Sequence, residues 1–293
     1  MGDFYHQHYY WYDSLLPTNE LGMEMIGYLA SVLIGISLGL IGGGGSILTV
    51  PVLVYLFHVD TVLATAYSLF IVGTSSLIGA WPKYKQGYVN IKAAAIFGIP
   101  DLAVVFITRR FILPSIPDQL GVIAGTTITK SLATMILFAF LMVAASFSMI
   151  KKNVIEVKTH PEGRAFNFPL IIFAGSMVGI LTGLVGAGGG FLIIPGLVML
   201  CNLPMKQAVG TSLLIIASKS LIGFTGDLSH YEINWSLLGT VTSLAIAGIF
   251  IGDRMSKKMD GSKLKRGFGW FILLMGCYII IQQIFFPSFG VAH

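Results

Sequence analysis

Two glycine-rich stretches interrupt the most apolar parts of this chain, GLIGGGGSILTVP at residues 39–51 and GLVGAGGGFLIIP at residues 183–195. Of the 293 residues, 55% are hydrophobic and 11% are charged, and the mean hydropathy is +0.83. The two uncharged blocks that hold these glycines are longer than the roughly 20 residues of one spanning helix. We therefore predict an all-α integral membrane protein in which both segments are broken at the glycines.

The chain contains an internal duplication. Residues 39–90 align without a gap with residues 183–234, at an offset of 144, and 19 of the 52 aligned pairs are identical. A duplicated unit of this length predicts two structural repeats. We expect residues 1–24 to form an N-terminal interfacial segment, residues 25–150 the first transmembrane repeat, residues 151–166 a charged loop and residues 167–286 the second transmembrane repeat.

The Lys and Arg residues bear on how the two repeats are oriented. If each broken segment crosses the membrane once, the basic loops divide almost evenly and give no orientation. If each segment enters and returns as two short helices, fourteen of the eighteen basic residues share one face, opposed by Arg109, Arg110 and Lys130. Cytoplasmic loops collect basic residues. We therefore favour inverted repeats, each with a glycine-broken helix pair plus three transmembrane helices, and both termini outside the cell; parallel repeats stay open at this stage.

The glycines allow a backbone that an ordinary spanning helix does not. Non-helical backbone survives at membrane depth only where it is buried in protein or lines a polar cavity. A helix that restarts after a break has free N–H groups and the positive end of its dipole, and both attract anions. Two such starts near the midplane predict a site for a small anion. The alternative is that the glycines are close-packing positions between helices.

The predicted anion site combines both breaks with polar side chains of the helices that follow them. Its candidate substrate-binding residues are Gly42, Gly43, Gly44, Gly45, Ser46, Ser68, Gly186, Gly188, Gly189, Gly190, Thr211, Ser212 and Lys219. The site is expected to be asymmetric, because Gly190 aligns with Ser46 and Ser75 with Lys219. Hydroxyl groups on helices also bond to their own backbone, so lining of a cavity is one of two explanations for Ser68, Thr211 and Ser212.

Lys219 needs an explanation because a charge inside an apolar helix is costly, by at least about 2.5–3.5 kcal/mol on insertion scales. We consider a charge at the anion site or its gate, snorkelling to the nearer surface, and a structural pair with Asp101. Asp101 is also a candidate proton-relay carboxylate. Asn90 and Asn234 each precede a helical segment and are predicted to be N-caps. Pro51 and Pro195 either open the second half-helix or kink it.

Other functional classes find little support in the sequence. The formal net charge of +5 is spread over short loops, which argues against a nucleic-acid partner. Cys201 and Cys277 have no metal-ligand spacing, so we predict no metal site and no cofactor. No catalytic residues are predicted, because the sequence has no HExxH, GxSxG or paired membrane carboxylates.

At these residues the chain resembles the TauE/SafE family, the sulfite exporter and related sulfur-anion permeases. The matching features are the paired glycine motifs, each followed by an Ala/Gly-rich helix such as AVGTSLLIIASKSLIG at residues 208–223. The resemblance covers residues 25–285 and implies a multi-pass permease for small sulfur-containing anions such as sulfite or organosulfonates.

Transferred to this chain, the resemblance places the glycine-rich motifs of the family at residues 42–45 and 186–190, and its polar second-helix motif at residues 210–212 and Ser220. The first copy departs from this motif, with AYS at residues 66–68 where the second copy has GTS. Lys219 matches no pattern of the family.

We interpret the chain as a secondary transporter that moves a small sulfur-containing anion across the cell membrane by alternating access, with coupling to another ion left open. Its expected partners are the anionic substrate and membrane lipid, and a homodimer is left open. The alternatives are an anion channel or a membrane scaffold without a transport cycle, followed by an intramembrane enzyme.

Overall fold

The computed structural model describes residues 16–43, 45–123, 126–150, 168–186, 188–228, 230–256 and 261–285. Over these residues the protein is a helical bundle with one short β-hairpin. The helices are α1 (Leu16–Ile41), α2 (Ser46–Leu56), α3 (Thr61–Lys85), α4 (Ile91–Ile107), α5 (Lys130–Ile150), α6 (Phe168–Val185), α7 (Gly190–Leu200), α8 (Met205–Asp227), α9 (Trp235–Ser256) and α10 (Gly261–Phe285). In the described part of the chain, seven helical segments are long and apolar enough to cross a membrane. The all-α membrane class is confirmed.

Two local features were not predicted. A π-helical turn at Thr108–Ile112 and a final α-helical turn at Leu113–Ser115 continue α4. After them, an antiparallel hairpin joins strands β1 (Gln119–Ile123) and β2 (Thr126–Thr129). Helix α1 also begins at Leu16, inside the segment that we expected to be interfacial. The expected charged loop at residues 151–166 lies outside the described residues.

Helices α1 and α2 form a hairpin around the first glycine break. Phe57, at the end of α2, returns to Gly27 near the start of α1, where a Cβ on the glycine would lie 2.7 Å from the phenyl ring. The same ring meets Tyr28 edge-on at 5.2 Å between centroids. The 11 residues of α2 span about 16 Å, roughly half of the hydrocarbon thickness. The first broken segment therefore folds back on itself at the glycines. Its first arm differs from the expected short helix, because Glu24–Ile41 alone is long enough to span a membrane. In the second segment, α7 likewise packs beside α6.

Helices α3 and α8 occupy the centre of the bundle and cross in antiparallel directions. Gly73 of α3 packs on Leu221 of α8, whereas Gly79, further along α3, approaches Leu213, which comes earlier in α8. These two helices correspond to each other in the duplicated sequence, since Ser68 of α3 aligns with Ser212 of α8. Equivalent helices of the two copies thus run in opposite directions where they touch.

In the other close helix pairs, a helix of the first half of the chain packs against a helix of the second half. Helix α1 packs along α9, with Gly35 against the backbone of Ala245. Helix α6 packs along α4, with Gly179 against Asp101, where a Cβ on the glycine would lie 2.7 Å from the carbonyl oxygen. Gly35 and Gly179 are separated by the offset of 144, and so are Asp101 and Ala245. Small residues allow this backbone approach, as is usual for helix pairs in membranes.

Two helices begin at predicted asparagine caps, and two half-helices contain the predicted prolines. Asn90 and Asn234 are N-caps, as predicted: their Oδ1 atoms accept the N–H groups of Ala93 at 2.9 Å and Leu237 at 3.1 Å. Pro51 and Pro195 lie inside α2 and α7, so neither opens its half-helix.

Candidate functional site

The two glycine breaks meet each other inside the bundle. A Cβ added to Gly43 would lie 2.5 Å from the Cα of Gly190 and 2.8 Å from its carbonyl carbon. Beside this contact, a Cβ on Gly188 would lie 3.3 Å from the Cβ of Ser46. Because Gly190 and Ser46 are the first residues of α7 and α2, the N-terminal ends of the two half-helices lie against one another.

Each break also contacts the central helix of the opposite half. Gly42 has φ +80° and packs on Val209 of α8, and Gly186 has φ +70° and packs on Thr65 of α3. Thr65 and Val209 are again separated by the offset of 144, so the two contacts are equivalent. Left-handed backbone of this kind favours glycine strongly. The close-packing explanation therefore holds for these glycines alongside any role in binding. Gly44 lies outside the described residues.

Among the residues that the structure describes, no side chain caps the N-terminus of either half-helix. The N-cap residues are Gly45 for α2 and Gly189 for α7, and neither helix start has a side-chain cap hydrogen bond. The Ser46 hydroxyl donates instead to the carbonyl oxygen of Gly43 at 2.7 Å, a bond that Gly190 cannot make. The positive dipole ends of two helices are thus directed at the same small region from opposite sides.

Buried hydroxyl groups line the central helices beside the breaks. Val72 and Ile216 both contact Gly188. Ser68 and Ser76 lie one helical turn to either side of Val72, and Ser220 lies one turn beyond Ile216, so they share the faces that contact the breaks. The side-chain oxygens of Ser68, Ser75, Ser76 and Ser220 are buried without a hydrogen-bond partner in the described structure. A buried hydroxyl without a partner needs an explanation, and binding of water or an ion is one of them.

The other two hydroxyl candidates already hold backbone groups. Thr211 Oγ1 accepts the N–H of Asn90 at 2.9 Å. The Ser212 hydroxyl donates to the carbonyl oxygens of Val209 at 2.9 Å and Gly42 at 3.3 Å. These hydrogen bonds connect the start of α4 and the first break to α8, so both side chains have a structural role.

Lys219 forms a buried ion pair. Its Nζ lies 2.9 Å from Asp101 Oδ2 and donates to Asp101 Oδ1 at 3.2 Å and to Thr182 Oγ1 at 3.0 Å. The Lys219 and Asp101 side chains are 1% and 0% exposed. The structural pair is therefore present, and the snorkelling explanation is wrong. The ammonium also lies against the second break, because a Cβ on Gly189 would be 2.9 Å from Nζ.

A second buried ion pair lies at one end of the central helices. Arg109, in the π-helical turn, places Nη2 2.7 Å from Asp227 Oδ2, and its Nε donates to the same oxygen at 2.8 Å. Arg109 Nη1 also donates to Thr65 Oγ1 at 2.9 Å. The two charged side chains are 0% and 2% exposed. π-Helical turns often occur at functional positions, because the extra residue redirects one side chain.

A third ion pair occupies the equivalent position at the other end. Lys83 Nζ lies 2.7 Å from Asp253 Oδ1, with side chains 12% and 17% exposed. The offset of 144 relates Lys83 to Asp227 and Arg109 to Asp253, so the charges are reversed between the two pairs. Lys83 and Asp227 are near the C-terminal ends of α3 and α8. Because those helices are antiparallel, the two pairs lie at opposite ends of the bundle centre.

The sequence did not single out Thr182, Arg109 or Asp227. Arg109 was assigned to a loop, although the structure buries it completely. A signal was present: KYKQ at residues 83–86 aligns with DLSH at residues 227–230, and extending the alignment past Asn90 would have placed Arg109 against Asp253. In the described residues, no group of three His, Cys, Asp or Glu side chains could hold a metal ion.

Two equivalent hydrogen bonds between the halves give a testable prediction for the scaffold of the site. The Asn234 N–H donates to the Tyr67 hydroxyl at 2.6 Å, and Tyr67 aligns with Thr211, the acceptor for Asn90. We expect Tyr67→Phe and Thr211→Val each to lower the free energy of unfolding by about 1 kcal/mol, because each leaves a backbone N–H without its partner. Thermal unfolding in detergent measures the loss.

Thr240→Val is the matched control for these variants. The Thr240 side chain is exposed on α9 and bonds only to its own helix, at the Ser236 carbonyl. Its replacement should leave the unfolding temperature unchanged. Equal unfolding temperatures for all three variants would show that the bonds between the halves add nothing to stability.

Comparisons with known proteins cover most of the chain. A family model described as "Sulfite exporter TauE/SafE" matches residues 27–279. A probable membrane transporter protein of Xylella fastidiosa strain Temecula1 is 29% identical over 263 residues, which span 85% of this chain and 91% of the relative. The probable membrane transporter proteins YdhB of Bacillus subtilis and MJ0441 of Methanocaldococcus jannaschii are 25% and 26% identical, over 82% and 86% of this chain and 94% of each relative. No solved structure matches the chain.

Proposed function

Because the chain belongs to the sulfite exporter TauE/SafE family, we propose that it carries a small sulfur-containing anion across the cell membrane as a secondary transporter with alternating access. It is a multi-pass membrane protein and a transporter rather than an enzyme, in agreement with the names of its relatives. The anion, the transport cycle and the orientation in the cell membrane are the parts that we propose.

The observation that carries the proposal is the meeting of two uncapped helix starts at Gly43 and Gly190. Helix N-termini bind anions through free N–H groups and the helix dipole. The Lys219 ammonium, held in its ion pair with Asp101, lies against one of the breaks and brings further N–H donors to the site. The adjoining helix faces provide further donors for anion oxygens, the hydroxyls of Ser68, Ser76 and Ser220, which have no hydrogen-bond partner within the described ranges. Oxyanions of sulfur suit such a set of donors, because they accept several hydrogen bonds at once.

Inverted repeats would allow this site to open to one side of the membrane at a time and to alternate between the two sides. The antiparallel α3 and α8, and the equivalent contacts at the offset of 144, support an inverted relation between the halves. In such proteins the two repeats rock around a central site. The ion pairs Arg109–Asp227 and Lys83–Asp253 each join one half to the other, at opposite ends. The Arg109 and Asp227 side chains are fully buried, whereas those of Lys83 and Asp253 are partly exposed.

The basic residues support an orientation with both termini outside the cell. Lys83 lies at the end of α3, and Arg254 lies near the end of α9, which runs parallel to α1. The hairpin of α1 and α2 makes the ends of α3 and α9 point to the same side. Short cytoplasmic segments carry an excess of Lys and Arg. We therefore assign the Lys83 side to the cytoplasm.

Uptake into proteoliposomes tests the proposed function. The purified protein is reconstituted and offered radiolabelled sulfite, thiosulfate, sulfate, isethionate and a carboxylate control such as acetate. We expect saturable uptake of at least one sulfur anion, and faster uptake when the same unlabelled anion is preloaded inside, because a carrier exchanges its substrate. Conductance without saturation or exchange would instead identify a channel, and no flux of any sulfur anion would reject the substrate class.

A further inference from the structure

The Lys219–Asp101 pair brings a titratable carboxylate into the proposed anion site. Lys219, Asp101 and Thr182 come from three helices, α8, α4 and α6, and converge next to Gly189 at the second break. Thr182 Oγ1 accepts one hydrogen bond from the ammonium and Asp101 accepts the others. The cation nearest to the proposed anion position is therefore already neutralised by a side chain of the protein.

An entering anion and the Asp101 carboxylate compete for the same ammonium. When Asp101 is ionised, an anion beside Lys219 lies about one ammonium diameter from the Asp101 carboxylate. Like charges repel strongly there, because the dielectric constant inside the bundle is low. If Asp101 takes up a proton, the repulsion is removed and the Nζ–H donors become free for the anion. Protonation of Asp101 and binding of the anion thus favour each other, and this linkage is reciprocal.

We propose that Asp101 carries the proton that accompanies the anion. In each cycle the Lys219 ammonium pairs first with the Asp101 carboxylate and then, once Asp101 is protonated, with the anion. The inference rests on the proposed transport of an anion past the breaks. The proton enters from the water on the loading side, is held on a carboxyl oxygen of Asp101 and leaves to the water on the release side. Lys219 stays protonated throughout. A monovalent anion then moves with one proton and no net charge.

The duplicated sequence limits the coupling to one carboxylate. At the offset of 144, Lys219 corresponds to Ser75, Asp101 to Ala245 and Thr182 to Leu38, so the other half of the site has no titratable side chain at these positions. Helices α6 and α7 contain no charged residues.

The remaining charged groups near this pair have partners of their own. On the helices that pack against the pair, Arg109 and Asp227 lie two turns away and bind each other, and Lys83 binds Asp253 at the far end. Asp101 is therefore the carboxylate that faces the ammonium at the break.

The experiment compares proton and anion fluxes in proteoliposomes, with isethionate and thiosulfate as probes because both stay ionised around neutral pH. A pH-sensitive dye inside the vesicles reports proton entry, and radiolabel reports the anion. For one-to-one coupling with a monovalent anion, we expect accumulation to rise about tenfold for each unit of inward pH difference. A protonophore should abolish this gain.

Asp101→Asn is the decisive variant, because asparagine keeps the shape of a protonated aspartate but cannot release a proton. We expect it to retain exchange of internal for external anion and to lose the response to the pH gradient, from about tenfold to no gain. Glu232→Gln, on the exposed loop between α8 and α9, is the matched control and should keep the response.

The wild-type fluxes can overturn the proposal even if Asp101→Asn does not fold. Anion uptake without proton entry would overturn the role of Asp101 and leave the transporter standing. A coupled response that survives in a folded Asp101→Asn variant would also overturn it. Absence of any anion flux in the wild type would overturn both the coupling and the proposed function.

Discussion

Replacing Gly43 with alanine is expected to abolish transport and to lower the stability of the protein severely. The new methyl group would lie 2.5 Å from the Cα of Gly190 and 2.8 Å from its carbonyl carbon. Both neighbours are backbone atoms, so no side chain can rotate away. Overpacking costs typically about 1–3 kcal/mol, and this position should reach the upper end or exceed it because the two breaks must separate. Thermal unfolding and uptake of the transported anion measure the two effects.

Gly239→Ala provides the control for this experiment. Gly239 lies in α9 and is exposed, and a Cβ there would meet nothing within 4 Å. Alanine is a better helix former than glycine by about 1 kcal/mol, so this variant should be as stable as the wild type or slightly more stable. If Gly43→Ala unfolded at the wild-type temperature and transported at the wild-type rate, the two breaks could not be in contact as described.

Removal of one partner of the Arg109–Asp227 pair should have the second large effect. In Asp227→Leu, the Arg109 guanidinium stays buried, since its side chain is 0% exposed, and it keeps its hydrogen bond to the Thr65 hydroxyl. Breaking a buried pair in this way costs about 3–5 kcal/mol, because a charge is left without compensation. We expect little folded protein by size-exclusion chromatography in detergent. Arg109→Met should behave similarly.

The double variant separates stability from transport. Arg109→Met with Asp227→Leu removes both charges, and such apolar replacements often recover the stability of the fold. If the pair closes one end of the pathway during each cycle, the double variant should fold but transport poorly. Wild-type transport by the folded double variant would contradict a role in closure. Lys83→Met is the control for a single lost charge, because its partner Asp253 is 17% exposed and can be hydrated in part.

The sequence was informative wherever the signal was local. Composition identified the membrane class, and the glycine runs located both breaks, because non-helical backbone at membrane depth requires special residues. The asparagines before α4 and α9 were recognisable as caps from their position alone. The division of Lys and Arg between the two faces favoured a return at each break, and α1 and α2 do form a hairpin, although α1 is longer than the short helix expected.

Features that depend on contacts between distant helices were not predicted. Arg109 and Asp227 are far apart in the sequence, and a basic residue near a helix end resembles a loop residue until its burial is known. The π-helical turn that redirects Arg109 has no periodic signature. For Lys219, the sequence offered three explanations, and the choice of the Asp101 pair required the position of α4 beside α8. Its role in anion binding stays a prediction.

The packing of first-half helices on second-half helices has a consequence for folding during translation. Helix α1 packs against α9, and Gly35 and Ala245 are separated by roughly 210 residues. At synthesis rates of about 5–20 residues per second, α1 waits for many seconds in the bilayer before its partner leaves the ribosome. The first half therefore cannot complete its packing during translation, and lipid or the insertion machinery must shield its glycine face. A gene divided within residues 151–166 should yield two fragments that mature only when expressed together.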